Sequence, residues 1–538
     1  MHARVPSVMD KWAREVESIT GRHYGSFAYE GAPDAEHVVV IMGSAAVTMG
    51  ETVRYLTHKH GRKVGVLKVR LFRPWLMERF LAALPETCTR IAVLDRVKEV
   101  GTLGEPLFTD VCATVQQANL QGIKIIGGRY GLGGKDFTPG MCLSVFENLA
   151  ADPAKMKVRF TVGISDDLTK LSLPPCTEVD ILPEGTVQCL FYGLGSDGTV
   201  GSNKTAIKMI AKNTPLDAQG YFEYDAKKSG GLTVSHLRFG PKNIRAPYLV
   251  KNADYIGIHK ESYIDNYNLL RSLKKNGVVA INATFSPADV EQRLPAPMLK
   301  VLADQEARLF LVDGVKAGSV LKLGKRINMV MQTVFFKLAN VMPFEKAVEL
   351  LKKDIVEMYG KKGDEVVARN QAAVDRAVDF LVEIPVNPAW KTLSQGGSGA
   401  AQPHRGFHSN ASLGSGSVAS PRLGAPHALL GARRSLSGAK LARRGMTTAA
   451  DIKKRTADFV REQVEPVNAL EGNELPVSIF QPGGRVPVGT SASEKRNIAL
   501  KIPRVDMDKC TQCNYCSLIC PHASIRPFLF SPEDMEKA

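Results

Sequence analysis

From residue 36 onward, short apolar runs alternate with amphipathic segments. HVVVIM (37–42) is a β-branched run of strand length, suited to a buried strand. VGVLKVRLF (64–72), IAVLDR (91–96) and IKIIGGRYG (123–131) repeat that pattern. Between them, GSAAVTMGETVRYLTHK (43–59) reads as a glycine turn feeding a helix. PWLMERFLAAL (74–84) and PLFTDVCATVQQANL (106–120) read as further helices. Alternation at this spacing implies a parallel sheet with crossover helices, hence an α/β domain over 36–150. Residues 1–35 predict a helix from Val8 to Thr20 and a Gly/Pro-containing loop, that is, a linker or remnant.

A second alternation begins with the strand TVQCLFY (186–192). Further strands are expected at GYFEYD, GLTVSHLRF, YLVKNADYIGIH, GVVAINATF and ARLFLVDG. Helices follow near 326–341, 343–359 and 364–382. In the second of these, Phe344, Ala347, Val348, Leu351, Ile355 and Met358 mark one apolar face, read as core packing. This is a second α/β domain over 185–388, and the chain shows no internal repeat.

Residues 391–450 break the pattern. They are rich in Gly, Ser, Ala and Arg and lack the apolar periodicity that offsets the entropy of ordering, so a disordered low-complexity insertion is expected. The composition is that of an organelle transit peptide, but the segment lies inside the chain. It reads as a species-specific insertion or a gene-prediction scar. A transcript encoding all sixty residues would remove the scar reading. A helix, a turn and a short strand are expected when order resumes over 451–500.

Charge sharpens this division. The formal net charge is +16, yet no acidic residue lies between Glu383 and Asp451. Lys391, Arg405, Arg422, Arg433, Arg434, Lys440, Arg443 and Arg444 fall there and supply half the excess. A charge concentrated in one low-complexity stretch does not make a nucleic-acid surface, and no nucleic-acid partner is expected. No apolar run approaches the roughly 20 residues that span a bilayer, and the first residues lack a secretory apolar core. An intracellular protein of a reducing compartment with no membrane partner is expected. Cytoplasm, chloroplast, mitochondrion and hydrogenosome all stay open.

The nine cysteines carry the chemistry. Cys88, Cys112, Cys142, Cys176 and Cys189 are scattered and read as reduced core residues. The other four form Cys510-x2-Cys513-x2-Cys516-x3-Cys520-Pro521. A [4Fe–4S] cubane takes one thiolate at each iron corner, and a tight CxxCxxC loop can wrap one face of it. The fourth cysteine, followed by proline, usually starts a helix and reaches the other cluster of a two-cluster ferredoxin fold. Zinc sites instead pair two CxxC arms across a longer gap. So Cys510, Cys513 and Cys516 are expected to hold one cluster and Cys520 a second. A second such run is missing from the sequence, so neither cluster finds all its ligands here. The chain is expected to be truncated or one piece of a longer polypeptide.

One more motif invites a ligand. The strand 186–192 runs into Gly193-Leu-Gly195-Ser-Asp197-Gly198 and then a helix beginning near Lys204. Such a turn brings backbone N–H groups close to a phosphate, with Lys204 adding positive potential. The same glycines could serve packing alone, and Asp197 repels a phosphate unless it points away. GGRYGLGGKDF (127–137) is also glycine-rich and reads as a domain contact, though Arg129 and Lys135 could face a cofactor. His522 reads as capping the cluster or starting a helix.

YGLGSDGTVGSNK (192–204), SEKRNIAL (493–500), GAPDAEHVVVIMGSAAVTMGET (31–52), GVLKVRLFRPW (65–75) and the cysteine run together resemble the pyruvate:ferredoxin (flavodoxin) oxidoreductases. The resemblance implies an α/β multidomain fold. It comprises a transketolase C-terminal-like domain (36–150), a gamma-type domain (185–388), the insertion and a linking domain with the SEKR motif (451–500). An incomplete ferredoxin-type domain (501–538) follows, half of a 2[4Fe–4S] unit. That family decarboxylates pyruvate oxidatively on thiamine diphosphate, passes electrons through [4Fe–4S] clusters and transfers the acetyl group to coenzyme A. The resemblance implies coenzyme A at Gly193, Gly195, Gly198 and Lys204, ferredoxin or flavodoxin as acceptor, and a homodimer when complete. The pyruvate-binding and thiamine diphosphate domains find no counterpart here, so thiamine diphosphate and magnesium belong to the complete enzyme only. The nearest approach to a diphosphate motif, Lys362-Gly363-Asp364-Glu365, lacks its second glycine. No catalytic residue is therefore assigned, and the chain alone is expected not to reduce viologen with pyruvate. The other readings are a pyruvate:NADP oxidoreductase fragment and a stand-alone iron–sulfur carrier or binding module.

Overall fold

The computed structural model describes residues 2–225, 231–241, 243–324, 327–393, 449–488, 490, 505–521, 525–527, 531 and 533. Residues 394–448, most of the expected 391–450 insertion, SEKRNIAL (493–500) and His522 lie outside the described residues. Two compact units divide the chain, one running to residue 398 with 456–494, the other holding the cysteine run. Each is described by itself.

The first unit contains two sheets. Sheet one is built from β1 (Phe27–Gly31), β2 (His37–Met42), β3 (Val64–Val69), β4 (Arg90–Asp95), β5 (Lys124–Arg129) and β6 (Arg159–Thr161). Their order is β1-β3-β2-β4-β5-β6. All pairs are parallel except β1 with β3. Two of its strands were not expected. FAYEG pairs as an antiparallel edge, and three-residue β6 closes the far side, so the sheet reaches beyond 36–150. The helix before it, α1 (Val5–Thr20), starts three residues earlier than the periodicity suggests, with Pro6 in its first turn.

Period-2 alternation explains how this sheet is clothed on both sides. Val39, Ile41, Ala92 and Leu94 face α2 (Ala45–His60) and α5 (Pro139–Ala150). Val38, Val40, Ile91 and Val93 face α3 (Met77–Ala82) and α4 (Pro106–Gln117). Cys88 and Cys142 are buried in these cores, and none of the nine cysteines forms a disulfide.

Sheet two contains β7 (Val187–Leu194), β8 (Asp217–Tyr224), β9 (Leu232–Gly240), β10 (Ala253–Ile258), β11 (Leu273–Asn282), β12 (Arg308–Val312) and β13 (Leu381–Ile384). The order is β13-β12-β11-β10-β7-β9-β8. Its centre, β12-β11-β10-β7, is parallel, while β9, β8 and β13 run antiparallel to their neighbours. The helices are α6 (Thr199–Asn213), α7 (Val290–Arg293), α8 (Ala296–Asp304), α9 (Gly314–Val320), α10 (Asn328–Leu338), α11 (Phe344–Tyr359) and α12 (Asp364–Arg376). Residues 381–382, expected to end a helix, instead begin β13. On α11, Ala347, Leu351 and Ile355 are buried and Phe344 and Val348 pack beside them, whereas Met358 is exposed.

Candidate functional site

The glycine turn lies at the carboxyl end of β7, the edge where open α/β sheets usually take ligands. Gly193 is still in the strand, paired with Thr233, and a Cβ there would sit 2.7 Å from the Thr199 side chain. Gly195 donates its N–H to the Gly231 carbonyl at 2.7 Å. Gly198 has φ 92°, a conformation side chains disfavour, and a Cβ would come 2.2 Å from Asn328 Nδ2. Packing against Thr199 and Asn328 thus accounts for two of the three glycines.

Asp197 settles how the turn handles its own negative charge. Its carboxylate accepts the Leu194 N–H at 2.8 Å and the Thr199 N–H at 2.7 Å. Asn328 Nδ2 holds the Asp197 carbonyl at 2.7 Å. The carboxylate therefore points back into the turn and occupies the first N–H of α6. Lys204 lies more than one helical turn further on, exposed, with Nζ 5.2 Å from the centre of the Phe222 ring. A phosphate that used the Thr199 N–H would have to take the place of the Asp197 carboxylate.

Behind the turn sits His259, a residue the sequence reading passed over. It directly follows β10 and is buried. Its backbone N–H reaches the Tyr192 carbonyl at 2.9 Å, and its own carbonyl accepts Asn282 Nδ2 at 3.0 Å. Nδ1 lies 2.9 Å from Thr199 Oγ1. Burial pushes the imidazole down to about 4, against a weaker upward pull from Asp197. His259 is therefore neutral at physiological pH and braces the first residue of α6.

The second glycine-rich run has protein partners throughout. Arg129, on β5, and Arg159, on β6, both bind the Glu105 carboxylate, which is 1% exposed. Burial works against that charge, but the two guanidiniums outweigh it, and the carboxyl is held below its usual range. Gly127 leaves room for Arg159, since a Cβ would lie 2.6 Å from its Nη1. Lys135 Nζ donates to the Asn473 carbonyl at 2.9 Å, and Asp136 accepts the Leu249 N–H at 3.1 Å. Arg271 donates to the Leu470 carbonyl and Asp167 accepts the Ser478 N–H, so residues 470–478 bind both sheet regions. The run 127–137 thus works as structure.

In the second unit, Cys513 and Cys516 are exposed and Cys510 and Cys520 half-buried. Gln512 and Asn514 take left-handed φ values of 56° and 58°, which curls the loop tightly. A short helix, Tyr515–Ile519, contains Cys516 and ends at Cys520, whereas the proline-flanked cysteine was expected to start a helix. The Tyr515 N–H and then the Thr511 hydroxyl hold the Cys513 thiol below its usual range. Among the described residues no three His, Cys, Asp or Glu side chains converge as a metal site. The donor set still suits iron–sulfur: four soft thiols in eleven residues, one of them poised toward thiolate.

Residues 188–380 match the pyruvate ferredoxin/flavodoxin oxidoreductase family, and 35–141 match the pyruvate:ferredoxin oxidoreductase core domain II. Over 533 residues, 99% of the chain, 45% of positions are identical to the pyruvate:ferredoxin oxidoreductase of Moorella thermoacetica. The chain belongs to the pyruvate:ferredoxin (flavodoxin) oxidoreductase family. Residues 502–525, which contain all four clustered cysteines, match a 4Fe-4S binding domain, and 447–499 match the EKR domain of unknown function. The chain is also 41% identical over 537 residues to the pyruvate-flavodoxin oxidoreductase of Enterobacter agglomerans. It is 42% identical over 544 residues to the pyruvate dehydrogenase (NADP+) of Cryptosporidium parvum. The chain spans 41% of the length of the Moorella and Enterobacter relatives and 26% of the Cryptosporidium one. No helix among the described residues is long and apolar enough to cross a membrane.

Proposed function

We propose that this chain supplies the electron-transfer part of a pyruvate:ferredoxin or pyruvate:flavodoxin oxidoreductase, which converts pyruvate and coenzyme A to acetyl-coenzyme A. The observation that carries the reading is the cysteine run, inside a 4Fe-4S match, in a chain with family identity along 99% of its length. Cys510, Cys513 and Cys516 would hold one [4Fe–4S] cluster and Cys520 a second. The clusters supply one-electron transfer when bound. The chain's own contribution is to bind and orient them, with the Tyr515 N–H and Thr511 hydroxyl favouring the Cys513 thiolate.

The domain assignments belong to the same proposal. Residues 36–150 would form the transketolase C-terminal-like domain, 185–388 the gamma-type domain, 451–500 the linking domain and 501–538 the ferredoxin-type domain. The 391–450 stretch would be an insertion between them. Coenzyme A is proposed at the turn of Gly193, Gly195 and Gly198 with Lys204, on condition that Asp197 releases the Thr199 N–H. Thiamine diphosphate and magnesium would act in the complete enzyme, and ferredoxin or flavodoxin would take the electrons. A second reading, NADP as final acceptor, is supported by the identity with the Cryptosporidium enzyme.

Anaerobic reconstitution of the chain with iron and sulfide tests the proposal. Broad visible charge-transfer absorbance is expected, reduced in Cys510→Ser, Cys513→Ser and Cys516→Ser. A small thiol in excess supplies the ligand positions that this chain does not fill, and absorbance equal in all variants and wild type would remove the ligand assignment.

A further inference from the structure

Gln332 is out of character for its surroundings. It lies midway along α10, where Met329, Val330, Met331, Val334, Phe335 and Phe336 are all buried in the core beside sheet two. The residue is itself 4% exposed. Burying an amide there is unfavourable unless its polar atoms are bonded. Its Oε1 has no protein hydrogen-bond partner. Its Nε2 donates to the Ser202 carbonyl of α6 at 3.3 Å. A leucine or methionine would serve packing with no amide to bury. The bond to α6 is therefore what this amide adds.

Asn328 lies four residues earlier, one helical turn away and on the same face of α10. Its Nδ2 donates to the Asp197 carbonyl at 2.7 Å. Two amides stacked on one face of α10 thus reach two main-chain carbonyls, one in the glycine turn and one in the first turn of α6. Between those carbonyls, the Ser202 N–H donates to the Gly198 carbonyl at 3.0 Å and opens the α6 ladder. None of these bonds uses the Asp197 side chain, whose carboxylate is engaged on the Leu194 and Thr199 N–H groups. The turn is therefore held by two separate sets of bonds. One runs from α10 to carbonyls, the other from Asp197 to N–H groups.

We propose that Asn328 and Gln332 are positioning residues for the glycine turn, which keep the start of α6 in place when the Asp197 carboxylate gives up the Thr199 N–H. For its ligand the inference rests on the coenzyme A reading; for its mechanics it rests on these bonds alone. A turn held only by Asp197 would loosen as soon as an anion took the Thr199 N–H. A turn held also through its carbonyls stays ordered, so the change on binding is confined to one side chain. His259 adds to the same hold through Thr199 Oγ1.

Site-resolved amide hydrogen exchange on the full chain tests this. Gln332→Met keeps the volume and removes the donor. It is expected to speed exchange over residues 202–206 about fivefold, the weight of one buried hydrogen bond, with residues 209–213 at the apolar end of α6 unchanged. Asp197→Ser is expected to speed exchange at Leu194 and Thr199 and to leave 202–206 within about twofold of wild type. Unchanged exchange over 202–206 in Gln332→Met overturns the positioning role. So does a loosening of that stretch by Asp197→Ser as large as that by Gln332→Met. Should Gln332→Met fail to fold, Asn328→Ser makes the same test from the half-buried start of α10, with the same outcomes. Calorimetric titration with coenzyme A reads a consequence that packing alone would not produce. Asp197→Ser is expected to bind it about fivefold more tightly than wild type, and adding Gln332→Met to lose most of that gain. Equal affinity with and without Gln332→Met overturns the link to the ligand. Absence of binding in wild type and Asp197→Ser alike removes the coenzyme A reading, while the exchange pattern still decides whether α10 holds the turn.

Discussion

Replacing Glu105 with Gln removes one charge from the most buried ion cluster of the first sheet. The carboxylate is 1% exposed, while the Arg129 and Arg159 side chains are 20% and 29% exposed. Arg159 also stacks over Phe108 at 4.6 Å, and its Nη1 has no hydrogen-bond partner. Removing the carboxylate leaves two guanidiniums against one another. Nearby Asp95 offers little compensation, since burial raises its carboxyl and it already accepts the Leu107 and Phe108 N–H groups. Breaking a buried pair costs about 3–5 kcal/mol. The partly solvated arginines place this one at the lower end, about 3 kcal/mol. The unit contains two sheets, so a single global unfolding curve is a poor assay. Amide hydrogen exchange over Arg90–Asp95 and Lys124–Arg129 reads local opening instead, and about 3 kcal/mol corresponds to roughly 100-fold faster exchange. The exposed pair Lys63–Asp34, with side chains 58% and 49% exposed, is the control, and Asp34→Asn should change exchange by less than about fivefold. Combining Glu105→Gln with Arg159→Met should recover part of the loss. Exchange in Glu105→Gln within about fivefold of wild type would refute the reasoning.

Gly198→Ala should destabilise sheet two by about 1–3 kcal/mol, because φ 92° and the Asn328 amide both oppose a Cβ. Local exchange at α6 reads this, and Asn328→Ala should relieve only the steric part. His259 makes stability pH-dependent. Its folded pKa of about 4 lies below the unfolded value of 6.5, so the unfolded chain takes the proton first as pH falls. Stability is then lost between about pH 6.5 and 4, by at most about 3 kcal/mol. Local opening of Ala253–Ile258 read by amide exchange, corrected for the intrinsic pH dependence, should show a shallower pH slope in His259→Phe, and an unchanged slope counts against a neutral buried imidazole. Thr199→Val removes the hydroxyl that meets Nδ1 and should speed exchange at the first turn of α6. Unaltered exchange there would leave His259 without its bracing role.

The central strands were legible because each is a compact apolar run that shares no face with water. HVVVIM and IAVLDR need no knowledge of their neighbours. The edges were not legible, because an edge strand buries little. FAYEG carries a charge and two small residues, RFT is three residues long, and LVEI follows a helix whose periodicity runs into it. Helix α5 was missed for the opposite reason: PGMCLSVFENLA is largely buried and shows no clear polar stripe. The cysteine run was legible as chemistry because all its donors are local. Glu105 was not, since its partners lie 24 and 54 residues away. His259 gave only a lone histidine after YIGI, and its meaning depends on Thr199, sixty residues upstream.

Asp197 shows how a local sequence argument and a packed structure can divide one question. A carboxylate inside a phosphate-binding turn is a contradiction only if it faces the ligand. Here it faces Leu194 and Thr199 and supplies the negative charge that the start of α6 favours. Asn328 on α10 and His259, just after β10, then hold the two sides of that arrangement. The Asp197 carboxylate is therefore satisfied without a ligand, and the glycines at 193 and 198 have reasons of their own. An anion that uses the Thr199 N–H competes with Asp197 for it. Ligand binding through the Thr199 N–H would therefore be an exchange of one anion for another.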